Sequence, residues 1–209
     1  MPMIFNRLIQ LLKKNIRLFL KEDEVNETII SEKERIRQDI KILKKDLTEE
    51  EKKTSATSVF IKIENQPEFI NAKTILLYWS MPDELSTHDF IKKWCHAKTI
   101  LLPVVKGHHM TIRPFSTEES LIKGNWSVME PKTGYDYLKL VDLVIVPGIA
   151  FDRKKRRLGR GKGYYDRYFK DKRLEKWGIC YDFQIFENIP AASFDIHMNK
   201  IFSPSETIL

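Results

Sequence analysis

The segment from Val146 to Phe169 constrains the fold more than any other part of the chain. An apolar run, Leu143 to Val146, leads into it and is short enough for a buried strand, which Pro147-Gly148 then ends. Further on, three glycines alternate with two basic residues over Gly159 to Gly163, and aromatic residues follow at helical spacing. The order predicts a strand, a long basic loop, a glycine-rich turn and the start of a helix.

This arrangement has the chemistry of a polyphosphate-binding loop. Glycines let backbone N–H groups turn toward an anion, and a helix N-terminus adds a partial positive charge. Arg156, Arg157, Arg160 and Lys162 add full charges. The glycines alone are a weak signal, because Gly163 stands where a Walker loop has Ser or Thr, and the spacing is not that of dinucleotide-binding loops. A solvated basic loop remains the alternative.

Composition limits the classes of protein and partner. A chain of 209 residues, 42% hydrophobic and 31% charged, fits one globular domain, alone or with an extension. The net charge of +7 is compatible with nucleic acid, a membrane surface or a small polyanion, but its concentration in Arg153 to Lys162 favours a phosphate ligand. Two cysteines indicate no disulfide framework and favour the cytoplasm, and no apolar run approaches the roughly 20 residues of a membrane span.

Two stretches within the central segment carry a family resemblance. Pro147 to Asp152, followed by Arg157 to Asp166, resembles the signature of the 5-formyltetrahydrofolate cyclo-ligase family, and the similarity covers about residues 31 to 205 as one domain. Members of that family use ATP and Mg²⁺ to close 5-formyltetrahydrofolate into 5,10-methenyltetrahydrofolate, with release of ADP and phosphate. The resemblance therefore implies a reduced folate and ATP as substrates. No nucleic-acid partner and a monomer are expected.

The N-terminal part is predicted to be helical. Residues 1–30 form a basic amphipathic stripe and are interpreted as a helical extension of a domain at 31–209. Such a stripe suits a membrane surface or a partner, but packing on its own domain is favoured. Ser31 with Glu34 reads as a capping box, and Thr48 with Glu51 reads as a second one. The first helix has an apolar stripe of Ile36, Ile40, Leu43 and Leu47, and a basic face of Lys33, Arg37, Lys41 and Lys44.

A strand is predicted from Lys73 to Trp79, and Ser80 to Glu84 follow at its carboxyl end, where open α/β sheets bind ligands. The segment resembles the family's Ser-Met-x-x-Glu. The resemblance implies that Glu84 accepts two N–H bonds from the pterin ring and that Trp79 and Met81 contact the folate. Without the family, Glu84 reads as a solvated loop carboxylate.

The resemblance also implies the remaining site residues. A Lys-x-x-x-Arg pattern that reaches ATP phosphates fits Lys33 and Arg37; Lys13 and Arg17 fit it too, but the later pair is better spaced from the next motif. Lys162 and Arg160 are assigned to catalysis. The ATP-binding set is Lys33, Arg37, Arg157, Leu158, Gly159, Arg160, Gly161, Lys162, Gly163 and Tyr164.

The other assignments concern the folate and the metal. Trp126, Tyr164 and Tyr165 are expected to contact the folate, although each also suits a core position. Mg²⁺ is assigned to Asp166 and Asp195, where Phe194 replaces the His that usually precedes the second carboxylate in the family. One or two carboxylates suffice for Mg²⁺, because it keeps water and phosphate ligands.

The fold expected is a single three-layer α/β/α domain with a mostly parallel central sheet and N-terminal helices. Apolar strands at 74–79, 99–104 and 141–146 alternate with helical patterns. Two other functions stay open. One is a basic nucleic-acid-binding module, whose affinity would fall steeply with salt. The other is a sugar-phosphate isomerase or CoA transferase on a similar scaffold, which would not require ATP.

Overall fold

The computed structural model describes residues 27–124, 128–191 and 195–209. Within these ranges the α-helices are α1 (27–45), α2 (Glu49–Glu64), α3 (Pro67–Asn71), α4 (His88–Trp94) and α5 (Tyr164–Phe169). The strands are β1 (Thr74–Leu76), β2 (Thr99–Lys106), β3 (His109–Pro114), β4 (Leu121–Lys123), β5 (Met129–Pro131), β6 (Leu143–Pro147), β7 (Ala150–Asp152), β8 (Arg157–Leu158), β9 (Lys176–Ile179), β10 (Ile185–Phe186), β11 (Lys200–Phe202) and β12 (Thr207–Ile208).

Seven strands form the main sheet in the order β12-β11-β9-β6-β1-β2-β3. The neighbouring pairs from β11 to β2 are all parallel, whereas β12 and β3 run antiparallel at the two edges. A three-stranded sheet, β10-β7-β8, and the β4-β5 hairpin are separate from it. The predicted mostly parallel sheet is confirmed; the edge strand β12 was not predicted.

Both faces of the main sheet are buried, which is why its central strand is a continuous apolar run. Along β6, Leu143 and Ile145 pack in one core cluster with residues of α2, α3 and α4. Val144 and Val146 point to the opposite face and pack with Phe151 of β7 and Phe169 of α5. The predicted three-layer α/β/α arrangement is confirmed.

Helix α1 differs from its prediction at the start. The capping box expected at Ser31 is wrong, because the helix is already formed at residue 27 and Ser31 lies inside it. The expected boundary at residue 30 thus falls within α1, and the extension stays a prediction because residues 1–26 lie outside the described ranges. The second capping box is confirmed: the Thr48 side chain accepts from Glu51 N, and the Glu51 side chain accepts from Thr48 N.

The buried face of α1 also differs from its prediction. Leu43, expected to point inward, is 45% exposed, whereas Lys44, expected on a solvated face, is only 7% exposed. Ile36, Ile40 and Lys44 are four residues apart and therefore share one face. Ile36 and Ile40 pack against Leu158 and its neighbours in a third core cluster. Helix α1 thus lies on the glycine-rich segment and brings Lys44 toward the same region.

Strand β1 is shorter than predicted, although Leu77, Tyr78 and Trp79 remain buried. The chain leaves the sheet after Leu77, whose N–H still bonds to Leu101 O at 2.9 Å. The Thr87 hydroxyl then donates to Tyr78 O at 2.6 Å, which fixes the loop that follows β1. This loop carries Met81, Asp83 and Glu84 to the carboxyl end of the sheet.

Across the described ranges, no helix is long and apolar enough to cross a bilayer.

Candidate functional site

A cavity of about 350 Å³ lies at the carboxyl ends of the parallel strands, between the loop after β1 and the glycine-rich segment. Most of the residues predicted for the site line it: Trp79, Met81, Glu84, Arg157, Gly159, Arg160, Lys162, Gly163, Tyr164, Tyr165 and Asp166. A larger cavity of about 790 Å³ lies between α2 and α4; Trp79, Met81 and Glu84 line it as well, but no residue of the glycine-rich segment does. The smaller cavity is therefore the candidate active site.

The glycine-rich segment enters α5 through a backbone that other residues rarely adopt. Gly161 has φ +91° and Gly163, the N-cap of α5, has φ +64°. A side chain at either position would be strained, because left-handed backbone favours glycine. Helix α5 has only six residues, so the dipole predicted to attract phosphate is that of a short helix. Positive charge in the cavity comes chiefly from side chains.

Helix α1 carries two of the cations assigned to ATP, Lys33 and Arg37, but neither of them lines the cavity. Arg37 Nε donates to Gly159 O at 3.1 Å, and its guanidinium lies beside Gly161. Lys33 Nζ donates to Asp195 Oδ2 at 2.5 Å. Each contact spans more than 120 positions of sequence. Arg37 lies against the glycine-rich segment, whereas Lys33 lies against Asp195. Lys13 and Arg17, which fit the same short pattern, lie outside the described residues.

Of the two carboxylates assigned to Mg²⁺, Asp166 lines the cavity, whereas Asp195 lies outside its lining and pairs with Lys33. Asp166 Oδ1 is 3.4 Å from Arg157 Nη1 and 3.5 Å from the backbone N of Ile196, the residue after Asp195. In the described ranges no group of three or more His, Cys, Asp or Glu side chains could hold a metal. Two hard carboxylate oxygens fit Mg²⁺, which completes its shell with water and phosphate oxygens.

Glu84 is not a solvated loop carboxylate, since its side chain is only 11% exposed. Its Oε2 accepts from Met81 N at 3.0 Å, and its Oε1 accepts from Arg160 Nη2 and Nε at 3.0 and 3.2 Å. Arg160 Nη2 also donates to both oxygens of Asp83, at 2.7 and 2.9 Å. The guanidinium predicted to bind ATP therefore contacts the carboxylate predicted to bind the pterin.

The charges of Asp83, Arg160 and Lys44 influence one another's pKa values. Burial alone would raise the pKa of Asp83, but Arg160 and Lys44 outweigh it and hold that pKa below its usual value. Burial also disfavours the charge of Arg160, yet Glu84 and Asp83 outweigh it and raise its pKa. Lys44 Nζ lies 3.6 Å from Asp83 Oδ2, and burial lowers the pKa of Lys44.

The predicted aromatic contacts are divided between cavity and core. Trp79 lines the cavity but is 6% exposed and stacks on His88, with ring centroids 4.2 Å apart. The Tyr164 hydroxyl donates to Gly107 O at 3.0 Å, which ties α5 to the β2-β3 turn. The Arg157 guanidinium carbon lies 5.2 Å from the centroid of the Tyr165 ring. Burial raises the pKa of the Tyr165 hydroxyl. Trp126 lies outside the described residues.

Sequence reasoning missed two residues, Asp83 and Lys44. The signal for Lys44 was its spacing of four from Ile40, which continues the buried face. Asp83 carries no pattern of its own, because its role depends on Arg160, which lies 77 positions away in sequence.

These features define a three-layer α/β enzyme with its site at the carboxyl ends of parallel strands. The 5-formyltetrahydrofolate cyclo-ligase family matches the chain over residues 29–204. The chain belongs to this family.

Relatives and solved structures agree with this assignment. A probable 5-formyltetrahydrofolate cyclo-ligase of Schizosaccharomyces pombe is 32% identical, over 74% of this chain and 86% of that protein. The Haemophilus influenzae 5-formyltetrahydrofolate cyclo-ligase is 29% identical, over 81% and 96%. The NMR structure of Aquifex aeolicus 5,10-methenyltetrahydrofolate synthetase covers 84% of this chain and 91% of its own, with 30% identity and a TM-score of 0.76.

Proposed function

We propose that the chain catalyses the ATP- and Mg²⁺-dependent closure of 5-formyltetrahydrofolate to 5,10-methenyltetrahydrofolate, with release of ADP and phosphate. The observation that carries the proposal is the convergence on one cavity of Glu84, suited to a pterin ring, and Lys162 with the glycine-rich segment, suited to phosphates. Family membership supplies the reaction class, and the residue types fit both substrates.

The proposed reaction needs no covalent enzyme intermediate. The N5-formyl oxygen of the folate takes the γ-phosphoryl group, N10 attacks the activated carbon, and the oxygen leaves with the phosphate as N10 loses its proton. Arg37, Lys33 and Lys162 would neutralise the phosphate oxygens, since phosphoryl transfer depends on positioning and charge stabilisation. Glu84 would orient the pterin through paired N–H bonds, and Trp79 would form one wall of its cavity.

Asp166 and Asp195 would hold Mg²⁺ beside the phosphates. When bound, the metal supplies charge neutralisation between the phosphate oxygens. Both carboxylates lie next to cationic side chains, Arg157 and Lys33, so metal binding would rearrange these pairs. We also propose a cytoplasmic monomer, to be checked by fractionation and by light scattering of the purified chain.

Turnover is the direct test. Purified chain with 5-formyltetrahydrofolate, Mg²⁺ and ATP should produce the methenyl absorbance band and one ADP per product. Omission of ATP should abolish the product. A folded chain that forms no methenyl product would refute the proposal. Turnover of a sugar phosphate or acyl-CoA without ATP would support the isomerase or transferase alternative. Nucleic-acid binding that weakens with salt would support the nucleic-acid-binding alternative.

A further inference from the structure

The Arg160 guanidinium is shared by two neighbouring carboxylates at the mouth of the candidate active site. Its Nη2 lies 2.7 and 2.9 Å from the Asp83 oxygens and 3.0 Å from Glu84 Oε1, and its Nε lies 3.2 Å from the same Glu84 oxygen. Both acids belong to the loop after β1, whereas Arg160 belongs to the glycine-rich segment. One side chain thus bridges the two halves of the cavity.

This sharing bears on the proposed folate contact. Glu84 Oε2 accepts from Met81 N and keeps one acceptor site, whereas Arg160 Nε and Nη2 take both sites of Oε1, so a paired pterin contact needs a site that Arg160 occupies. A guanidinium stays charged at any physiological pH. A pterin can therefore take Glu84 only if Arg160 keeps another anionic partner. Asp83 is one such partner, and a phosphate between Gly159 and Gly163 would be a second.

Asp83 is itself fixed from the other side. Lys44 Nζ lies 3.6 Å from Asp83 Oδ2, and the Lys44 side chain is only 5% exposed. The Asp83 side chain is 42% exposed, as is that of Arg160, so the pair lies at the rim while Glu84 lies deeper. Helix α1, which holds Arg37 on the glycine-rich segment, thereby also anchors the acid that competes for Arg160.

We propose that Asp83 is a positioning residue that draws Arg160 away from Glu84, so that binding of nucleotide phosphate, by drawing it further, makes Glu84 more available to the folate ring. This inference rests on the proposed function. It predicts positive coupling between the nucleotide and the folate, and such coupling is reciprocal. Neither the family assignment nor the sequence patterns give Asp83 or Lys44 a role.

The experiment measures folate binding by calorimetry, with and without Mg²⁺ and a non-hydrolysable ATP analogue. For the wild-type chain the analogue should tighten 5-formyltetrahydrofolate binding by roughly fivefold or more, the usual lower range of allosteric coupling. Asp83→Asn should weaken folate binding about fivefold without the analogue and less than about twofold with it, because phosphate then replaces the lost carboxylate. Arg160→Ala should abolish the tightening.

Two variants serve as controls. Asp83→Glu keeps the charge and should restore both dissociation constants to within about twofold of wild type. Glu68→Gln removes an acid of similar exposure, 44%, that pairs with Lys200 outside the cavity and should change neither constant. Equal weakening by Asp83→Asn with and without the analogue, or no tightening in the wild type, would overturn the inference. Absence of turnover in the wild type would instead refute the proposed function.

Discussion

The basic segment from Arg153 to Gly163 has a first half, residues 153–156, and a second half, residues 157–163, and their charges have different partners. In the first half, Arg156 bonds to Asp152, whose side chain is fully buried, and Arg153 bonds to Glu206 near the C-terminus. In the second half, the Arg160 side chain is 42% exposed, Lys162 is exposed, and both line the cavity. The cations of this segment that line the cavity are Arg157, Arg160 and Lys162, all in the second half.

Asp152, the residue just before the segment, accepts hydrogen bonds from the first half. Its two oxygens accept from the backbone N of Lys154, Arg156 and Ile189, and from Arg156 Nε. Strands β7 and β8 and the loop after β10 are therefore joined at one carboxylate. The comparison teaches that charge density along a sequence is not the charge available at a site, because part of it neutralises acids that hold the fold.

The largest expected effect is on stability, from Asp152→Asn. Four N–H groups donate to the two carboxylate oxygens of Asp152, and an asparagine amide offers only one acceptor oxygen. We therefore expect the free energy of unfolding to fall by about 3 kcal/mol. Urea denaturation at pH 7 measures it. An unchanged midpoint would mean that the first half of the segment is not structural.

The same variant gives a pH test with a defined sign. Burial alone would raise the pKa of Asp152, but hydrogen bonds from Arg156 and Ile189 outweigh it and lower that pKa. The stabilisation is therefore present above the unfolded pKa of about 3.9 and is lost as pH falls through the lower folded value. The stability difference between wild type and Asp152→Asn should narrow below about pH 4, and a difference that grows there would contradict this account.

Glu84→Gln should have the next largest effect, on folate use. Loss of the charge removes a paired acceptor for the pterin, and we expect kcat/KM for folate to fall about a hundredfold, as when one partner of a buried charged pair is removed. Steady-state assays with varied folate and saturating ATP measure it. An unchanged kcat/KM for folate would contradict the role of Glu84 in folate binding.

Lys162→Ala sharpens the comparison within the segment itself. It should reduce turnover by at least roughly tenfold, the loss expected for one charge contact in the transition state. Lys154→Ala is the matched control, because Lys154 is also an exposed lysine but lies in the first half and outside the cavity lining. If both variants lose turnover equally, the division of the segment is wrong.

The smallest effect is expected for Arg153→Gln. Arg153 pairs with Glu206 at the surface, and exposed ion pairs contribute at most about 1 kcal/mol. We expect turnover to stay at the wild-type level and the urea midpoint to shift slightly. A large loss of turnover would extend the active site into the first half of the segment.

Local patterns predicted the parts of the site that depend on neighbours in sequence. The glycine-rich turn, the strand before it and the second capping box each need only a few adjacent residues, and the structure has all three. The assignments of ligand contacts to Glu84, Lys33 and Asp166 stay predictions, although Glu84 and Asp166 line the same cavity.

Features that depend on distant partners were not predicted. Lys44 is buried because α1 packs on the glycine-rich segment, and β12 forms because β11 offers it an edge. The Ser31 capping box failed because Ser with Glu three residues later is also tolerated inside a helix. The pairing of Arg160 with Asp83 needs the folded sheet to bring the two loops together.

The hydrogen bond from Arg37 to Gly159 has a consequence for biosynthesis. The two residues are 122 positions apart, so at typical synthesis rates the carbonyl emerges on the order of ten seconds after the guanidinium. During that interval α1 has no loop to pack on, and its apolar face is open to chaperones or to other nascent chains. The cavity can acquire its final shape only late in translation, after most of the polypeptide has left the ribosome.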